Sequence, residues 1–242
     1  MFKSTVKLAL SFALCFAIMV PTAFAQEQKS LVALGDSITF GYNLDTKNNH
    51  PSKEAFPELS VEGEKYRVRN LGVPGDTSSN LLTLLKTEKY RQAVRHADVI
   101  TLNIGSADFL KGASPIIAKL LTIPNYQPTL EDVSLMQNIT INLVTNLQQI
   151  VFDIRTLTDA PIILYTIYNP FYGMDAQAGA LLYGANVAIS SFKADPSIKI
   201  ADAFTAFIGK QNLLILPEDV HPNLEGQQLL ADLAANAIQE VN

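Results

Sequence analysis

The chain has 242 residues, 48% of them apolar, with 18 Lys and Arg against 23 Asp and Glu and a formal net charge of −5. That length suits one domain with a sizeable core, and the acidic balance argues against nucleic acid or an anionic membrane surface as the main partner. The one cysteine, Cys15, excludes a disulfide framework and a cysteine metal site.

The first 25 positions read as an export leader. Lys3 and Lys7 form a positive start, residues 8–20 are an apolar run too short to span a bilayer, and Ala23-Phe24-Ala25 is a small-x-small cleavage signal before Gln26. A retained anchor is the rival reading. Phe12 stands where lipid attachment at Cys15 would want a Leu. The expected mature chain is therefore secreted, begins at Gln26, has no stable membrane anchor and carries no thiol. It keeps 16 basic residues against 23 acidic, a formal charge of −7.

From there, apolar runs alternate with helical stretches, the pattern of a parallel sheet flanked by helices. Strands are expected at 31–34, 67–71, 99–104, 162–167 and 198–200. The first runs into Gly35-Asp36-Ser37, where open parallel sheets present ligand sites. Asn70-Leu71-Gly72-Val73-Pro74-Gly75-Asp76-Thr77-Ser78 follows the second, and Gly105-Ser106-Ala107-Asp108 follows the third. Residues 111–134 read as an irregular stretch with Pro115, Pro124 and Pro128 among apolar side chains, either an acyl-binding wall or lid or a surface insertion. Ile139, Leu143, Leu147, Ile150, Ile154 and Leu157 recur at three and four residues, one stripe of a long helix. A last helix starts at about Asn223, its expected N-cap, just after Glu218-Asp219-Val220-His221-Pro222.

Ser37 and His221 pair a candidate nucleophile with a candidate base. A serine hydroxyl attacks at neutral pH only when a base takes its proton, and histidine, with an unperturbed pKa of ~6.5, is the usual one. The four ordered blocks, over Gly35 to Asn223, resemble the GDSL/SGNH family of ester hydrolases and lipases. The resemblance implies an α/β/α sandwich on a parallel sheet of about five strands, flavodoxin-like in layout. It implies Ser37 as nucleophile, His221 as base, and the backbone N–H groups of Ser37 and Gly72 as oxyanion donors. It needs no cofactor.

Two positions depart from the family's pattern. Ala107 stands where the family has Asn, the third oxyanion donor, a loss of roughly 2.7 to 4 kcal/mol in other acyl-transfer enzymes. Asn103 and Ser106 are the candidates to fill that hole. The family's Asp three residues before His is Glu218 here, with Asp219 two before; Glu218 is preferred as the acid that orients His221, and Asp219 is the alternative. His50 and His96 lack ligand spacing, so no metal is expected, and no phosphate-cradling glycine run supports a nucleotide. Asp36 is expected to shape the turn or cap the following helix.

The reading is a secreted, monomeric ester hydrolase acting on small-molecule or lipid acyl esters through an acyl-serine. Polysaccharide O-deacetylation, a binding protein that has lost catalysis, and a flavodoxin-like carrier are the rivals.

Overall fold

A computed structural model describes residues 28–241; the leader, its cleavage signal and Cys15 lie outside the described residues. The strands are β1 Lys29–Gly35, β2 Tyr66–Asn70, β3 Val99–Asn103, β4 Ile162–Tyr165 and β5 Ile198–Ala201. All pair in parallel, in the order β2-β1-β3-β4-β5. Between them run α1 Ser37–Phe40, α2 Phe56–Leu59, α3 Ser78–Leu85, α4 Glu88–Arg95, α5 Ser106–Gly112, α6 Ser114–Thr122, α7 Leu130–Arg155 and α8 Asp175–Ser190. After β5 come α9 Ala203–Phe207, α10 Gln211–Leu214 and α11 Leu224–Gln239.

Side chains alternate across each strand, so each strand feeds two cores. Val32, Leu34, Ile100, Leu102, Ile162 and Leu164 pack with α3, α4, α7 and α8 on one face. Leu31, Ala33, Val99, Ile163 and Tyr165 pack with α2, α9, α10 and α11 on the other. The result is a three-layer α/β/α sandwich, which explains why the strands read as unbroken apolar runs. The stripe expected on the long helix is α7: Leu143, Leu147, Ile150 and Ile154 are all buried, while Leu157 lies beyond its end.

The order of strands reverses at β1, which sits between β2 and β3. Beyond the carboxyl ends of β1 and β3 the loops diverge and leave a crevice. Here the stretch 111–134 departs from the irregular segment expected of it. Pro115 sits in the first turn of α6, where its missing N–H costs nothing, and the chain runs helix to helix with a short link at 123–129. Asp132 ties that link down: it accepts Lys119 Nζ at 2.9 Å, the Thr129 N–H at 2.8 Å and the hydroxyl of Tyr126. Those hydrogen bonds, Lys119 first, hold its carboxyl well below the usual range.

Candidate active site

Ser37 is the first residue of α1, directly after the carboxyl end of β1. Asp36 caps that helix, as expected, with Oδ1 accepting the Ile38 N–H at 3.0 Å. It is fully buried and its Oδ2 has no hydrogen-bond partner among the described residues. Burial pushes its pKa up to about 7, against the pull of the Ile38 and Ala107 N–H groups and with the help of the charges of Asp108 and Asp76.

His221 comes from the far end of the chain on a loop pinned at its base. Leu216 N–H donates to His221 O at 2.9 Å, Asn223 N–H donates to Leu214 O at 2.9 Å, and Ile215 bridges Pro222. Asn223 caps α11 by accepting the Gly226 N–H at 2.9 Å. One turn on, buried Gln227 donates to Ile38 O at 3.2 Å and accepts the Phe56 N–H at 2.8 Å. That amide locks the helix after His221 to the turn that carries Ser37. The ring arrives with Nε2 2.9 Å from Ser37 Oγ and is flanked by Tyr42, ring centroids 5.1 Å apart.

The acid beside His221 is Asp219, not Glu218. Asp219 Oδ1 lies 2.6 Å from His221 Nδ1 and also accepts the N–H groups of Val220 at 2.6 Å and His221 at 3.2 Å. This closed turn is a habit of short Asp side chains, and it sets the carboxylate against the imidazole. Glu218 stands in the left-handed region at φ 57, exposed, with no bond to His221. The other oxygen, Asp219 Oδ2, accepts Asn43 Nδ2 at 2.7 Å, and Asn43 exchanges two further bonds of 2.8 Å with Asn48. Burial alone would raise the Asp219 carboxyl. The bonds from Asn43, Val220 and His221, with the charge on His221, outweigh it and hold the group below the usual carboxylate range. A carboxylate on Nδ1 keeps the ring proton there and leaves Nε2 to accept from Ser37.

The glycine expected to supply an oxyanion donor is also displaced. Gly72 is buried behind α1, where a Cβ would fall 2.5 Å from Phe40 N, and its N–H donates to Asn70 Oδ1 at 3.0 Å. Gly75 faces the crevice instead, at φ +78, a conformation suited to glycine. Among the described residues neither the Gly75 nor the Ser37 N–H makes a hydrogen bond. Ala107 stands in the first turn of α5 and lines the crevice as the register of the third block implied; Ser106 lines it too, whereas Asn103 does not. Asp108 turns away to bind Ser78, accepting its N–H at 2.9 Å and its hydroxyl at 2.6 Å.

Ser37, His221, Tyr42, Gly75 and Ala107 open on a cavity of about 400 Å³. Its walls are apolar. Ile116, Ile117 and Leu120 of α6, Met136 of α7 and Leu181 and Leu182 of α8 line it, which makes the first part of the stretch 111–134, as far as Leu120, a wall of the site, while Leu121, Ile123, Leu130 and Val133 are exposed at the surface. Tyr42, Asn43, Gly75 and Lys111 are site residues that sequence reasoning missed; the second glycine of the Asn70 to Ser78 block was the available signal for Gly75.

Known proteins share this framework. YpmR of Bacillus subtilis, itself uncharacterized, is 27% identical over 223 residues, 89% of this chain and 83% of YpmR. An arylesterase of Vibrio mimicus is 31% identical over 108 residues, 44% of this chain and 50% of the arylesterase. The crystal structure of the lipase Lip_vut3 from a goat rumen metagenome is 22% identical, has a TM-score of 0.73 and aligns over 86% of this chain and 97% of that one, a likeness of fold. The GDSL-like Lipase/Acylhydrolase family model matches residues 33–229, and such membership supports ester hydrolysis. Together with the ordered motif blocks gathered at one crevice, that match over most of the chain means that the protein belongs to the GDSL-like lipase/acylhydrolase family.

Proposed function

We propose that the protein is a secreted serine hydrolase that cleaves carboxylic esters of apolar acyl groups through an acyl-serine intermediate. The observation that carries the reading is the alignment of Asp219 Oδ1, the His221 ring and Ser37 Oγ at 2.6 and 2.9 Å, opening on an apolar cavity. Ser37 Oγ attacks the ester carbonyl as its proton passes to His221 Nε2, and Asp219 steadies the imidazolium. The N–H groups of Ser37 and Gly75 receive the oxyanion. His221 then protonates the departing alcohol, the acyl group stays on Ser37, and a water activated by the same ring releases the acid. An acetylated polysaccharide would leave the apolar wall of α6 unused, so lipid-like acyl esters fit better.

The test is covalent labelling with a fluorophosphonate, located by mass spectrometry and paired with hydrolysis of p-nitrophenyl esters. Label confined to Ser37, and loss of turnover in both Ser37→Ala and His221→Ala with the double variant hardly worse, is the expected result. Normal binding of apolar acids without labelling or turnover would instead identify a binding protein. For export, N-terminal sequencing of the secreted species should begin at Gln26; a form that keeps residues 1–25 would overturn that part of the reading.

A further inference from the structure

We propose that Lys111 is a positioning residue of the oxyanion site, offsetting in part the amide missing at Ala107; the proposal rests on the ester-hydrolase reading above. Ala107 and Lys111 lie four residues apart on α5, hence on one face of the helix, and both line the cavity shared by Ser37 and His221. Lys111 Nζ donates to Gly75 O at 2.6 Å. This is a charge-assisted bond, of the shorter and stronger kind.

Gly75 needs such a tether. It follows Pro74, sits at φ +78, and belongs to a turn closed by the Asp76 N–H on Val73 O at 3.1 Å. A Cβ built at Gly75 would have Lys111 Nζ as its nearest neighbour, at 3.7 Å, with no other atom within 4 Å. The carbonyl that Lys111 holds flanks the same Cα as the Gly75 N–H, which is unengaged among the described residues, so the tether limits rotation about Gly75. On the same helix, Asp108 grips Ser78 three residues further along. Helix α5 therefore holds the loop at both ends, through a carboxylate beyond the site and an ammonium at its rim. The positive charge also faces Asp76, whose carboxyl burial raises and Lys111 draws back down.

An oxyanion donor works because it is already aimed before charge develops. With Asn absent at 107, each remaining N–H carries a larger share, so the aim of Gly75 matters more here than where the amide is present. Lys111 adds a fixed positive charge on that side of the site.

The experiment compares Lys111→Met, Lys111→Gln and Lys111→Arg in the parent and in the Ala107→Asn background, with folding checked by thermal melting. Lys111→Met should lower kcat about ten- to hundredfold while KM moves by less than about threefold. Lys111→Arg should recover most of the loss, because the guanidinium can donate to the same carbonyl. Lys111→Gln, a donor without charge, should fall between. In the Ala107→Asn background the loss from Lys111→Met should shrink severalfold, a coupling that independent sites would not show. An unchanged kcat, a loss confined to KM, or an equal loss in both backgrounds would each overturn the proposal. NMR relaxation supplies the arm that needs no turnover: the order parameter of the Gly75 N–H should fall in Lys111→Met and not in Lys119→Met. An unchanged Gly75 order parameter in Lys111→Met would overturn the positioning role even if Ser37 never reacts with an ester, whereas missing fluorophosphonate labelling would count against the esterase reading alone.

Discussion

At the scale of single residues, the site turns on which of two adjacent acids meets the histidine. Asp219 accepts three N–H groups on one oxygen and the Asn43 amide on the other, so its charge is held in place without Glu218. Asp219→Asn should lower kcat on the order of 10³- to 10⁴-fold through loss of the correct imidazole tautomer, while Glu218→Gln stays within about threefold of the parent. The reverse order in steady-state kinetics would return the role to Glu218. Asn43 offers a finer probe. Its φ of 66 suits glycine, so Asn43→Gly removes one amide donor without straining the backbone. The residue is exposed and water competes for the same oxygen, so kcat/KM should fall by about three- to tenfold, and Asn43→Asp, which sets a second carboxylate beside Asp219, should fall further.

At the scale of elements, α6 decides what enters the cavity. Its Ile116 is buried in the main core, but Ile117 and Leu120 are only partly covered and face the space beside Ser37. An acyl chain laid along them loses apolar surface to water at a rate worth about 0.8 kcal/mol per methylene. Across a series of p-nitrophenyl esters, kcat/KM should therefore rise by about three- to fourfold per added methylene until the cavity is filled. Ile117→Trp should flatten that rise and leave the acetyl ester nearly unaffected. A parent that prefers acetyl esters outright would remove the acyl-wall role from α6. The Pro115 start and the Asp132 anchor explain how so short a helix keeps its place.

For the molecule as a whole, the buried Asp36 makes stability depend on pH in a sense opposite to the usual carboxylates. Its pKa stands at about 7 in the fold, and near 3.9 in an unfolded chain. Between those values the fold keeps a proton that the unfolded chain has released, so stability falls as pH rises from about 4 to about 7 and is level above that window. Asp132 and Asp219, held low, work the other way: their contribution is present above the ordinary carboxylate range and is lost as pH falls beneath it. Denaturant unfolding of Asp36→Asn should then lose most of the slope between pH 4 and pH 7, where the parent loses on the order of a few kcal/mol, because Asn caps α1 as well as Asp does, and the raised carboxyls of Glu58 and Asp76 leave a smaller slope of the same sign. A parent profile without that slope would mean that Asp36 is ionised throughout.

The strands, the stripe on α7 and the cap at Asn223 were legible in the sequence because periodicity and capping are local. Ser37 and His221 were legible for a related reason: a nucleophile at a strand end and a base before a helix each carry their own short pattern. What no local pattern carries is the direction a loop takes. Glu218 and Asp219 both lie within reach of His221 along the chain, and only a left-handed turn at Glu218 sends one outward and closes the other on the ring. Gly72 and Gly75 are equally good glycines in sequence, yet one is packed behind α1 and the other faces the cavity. The contacts of Lys111 with Gly75 and of Asn43 with Asp219 join residues 36 and 176 positions apart. Such meetings depend on how the loops at the reversal point of the sheet pack together, and that packing exists only in the folded chain.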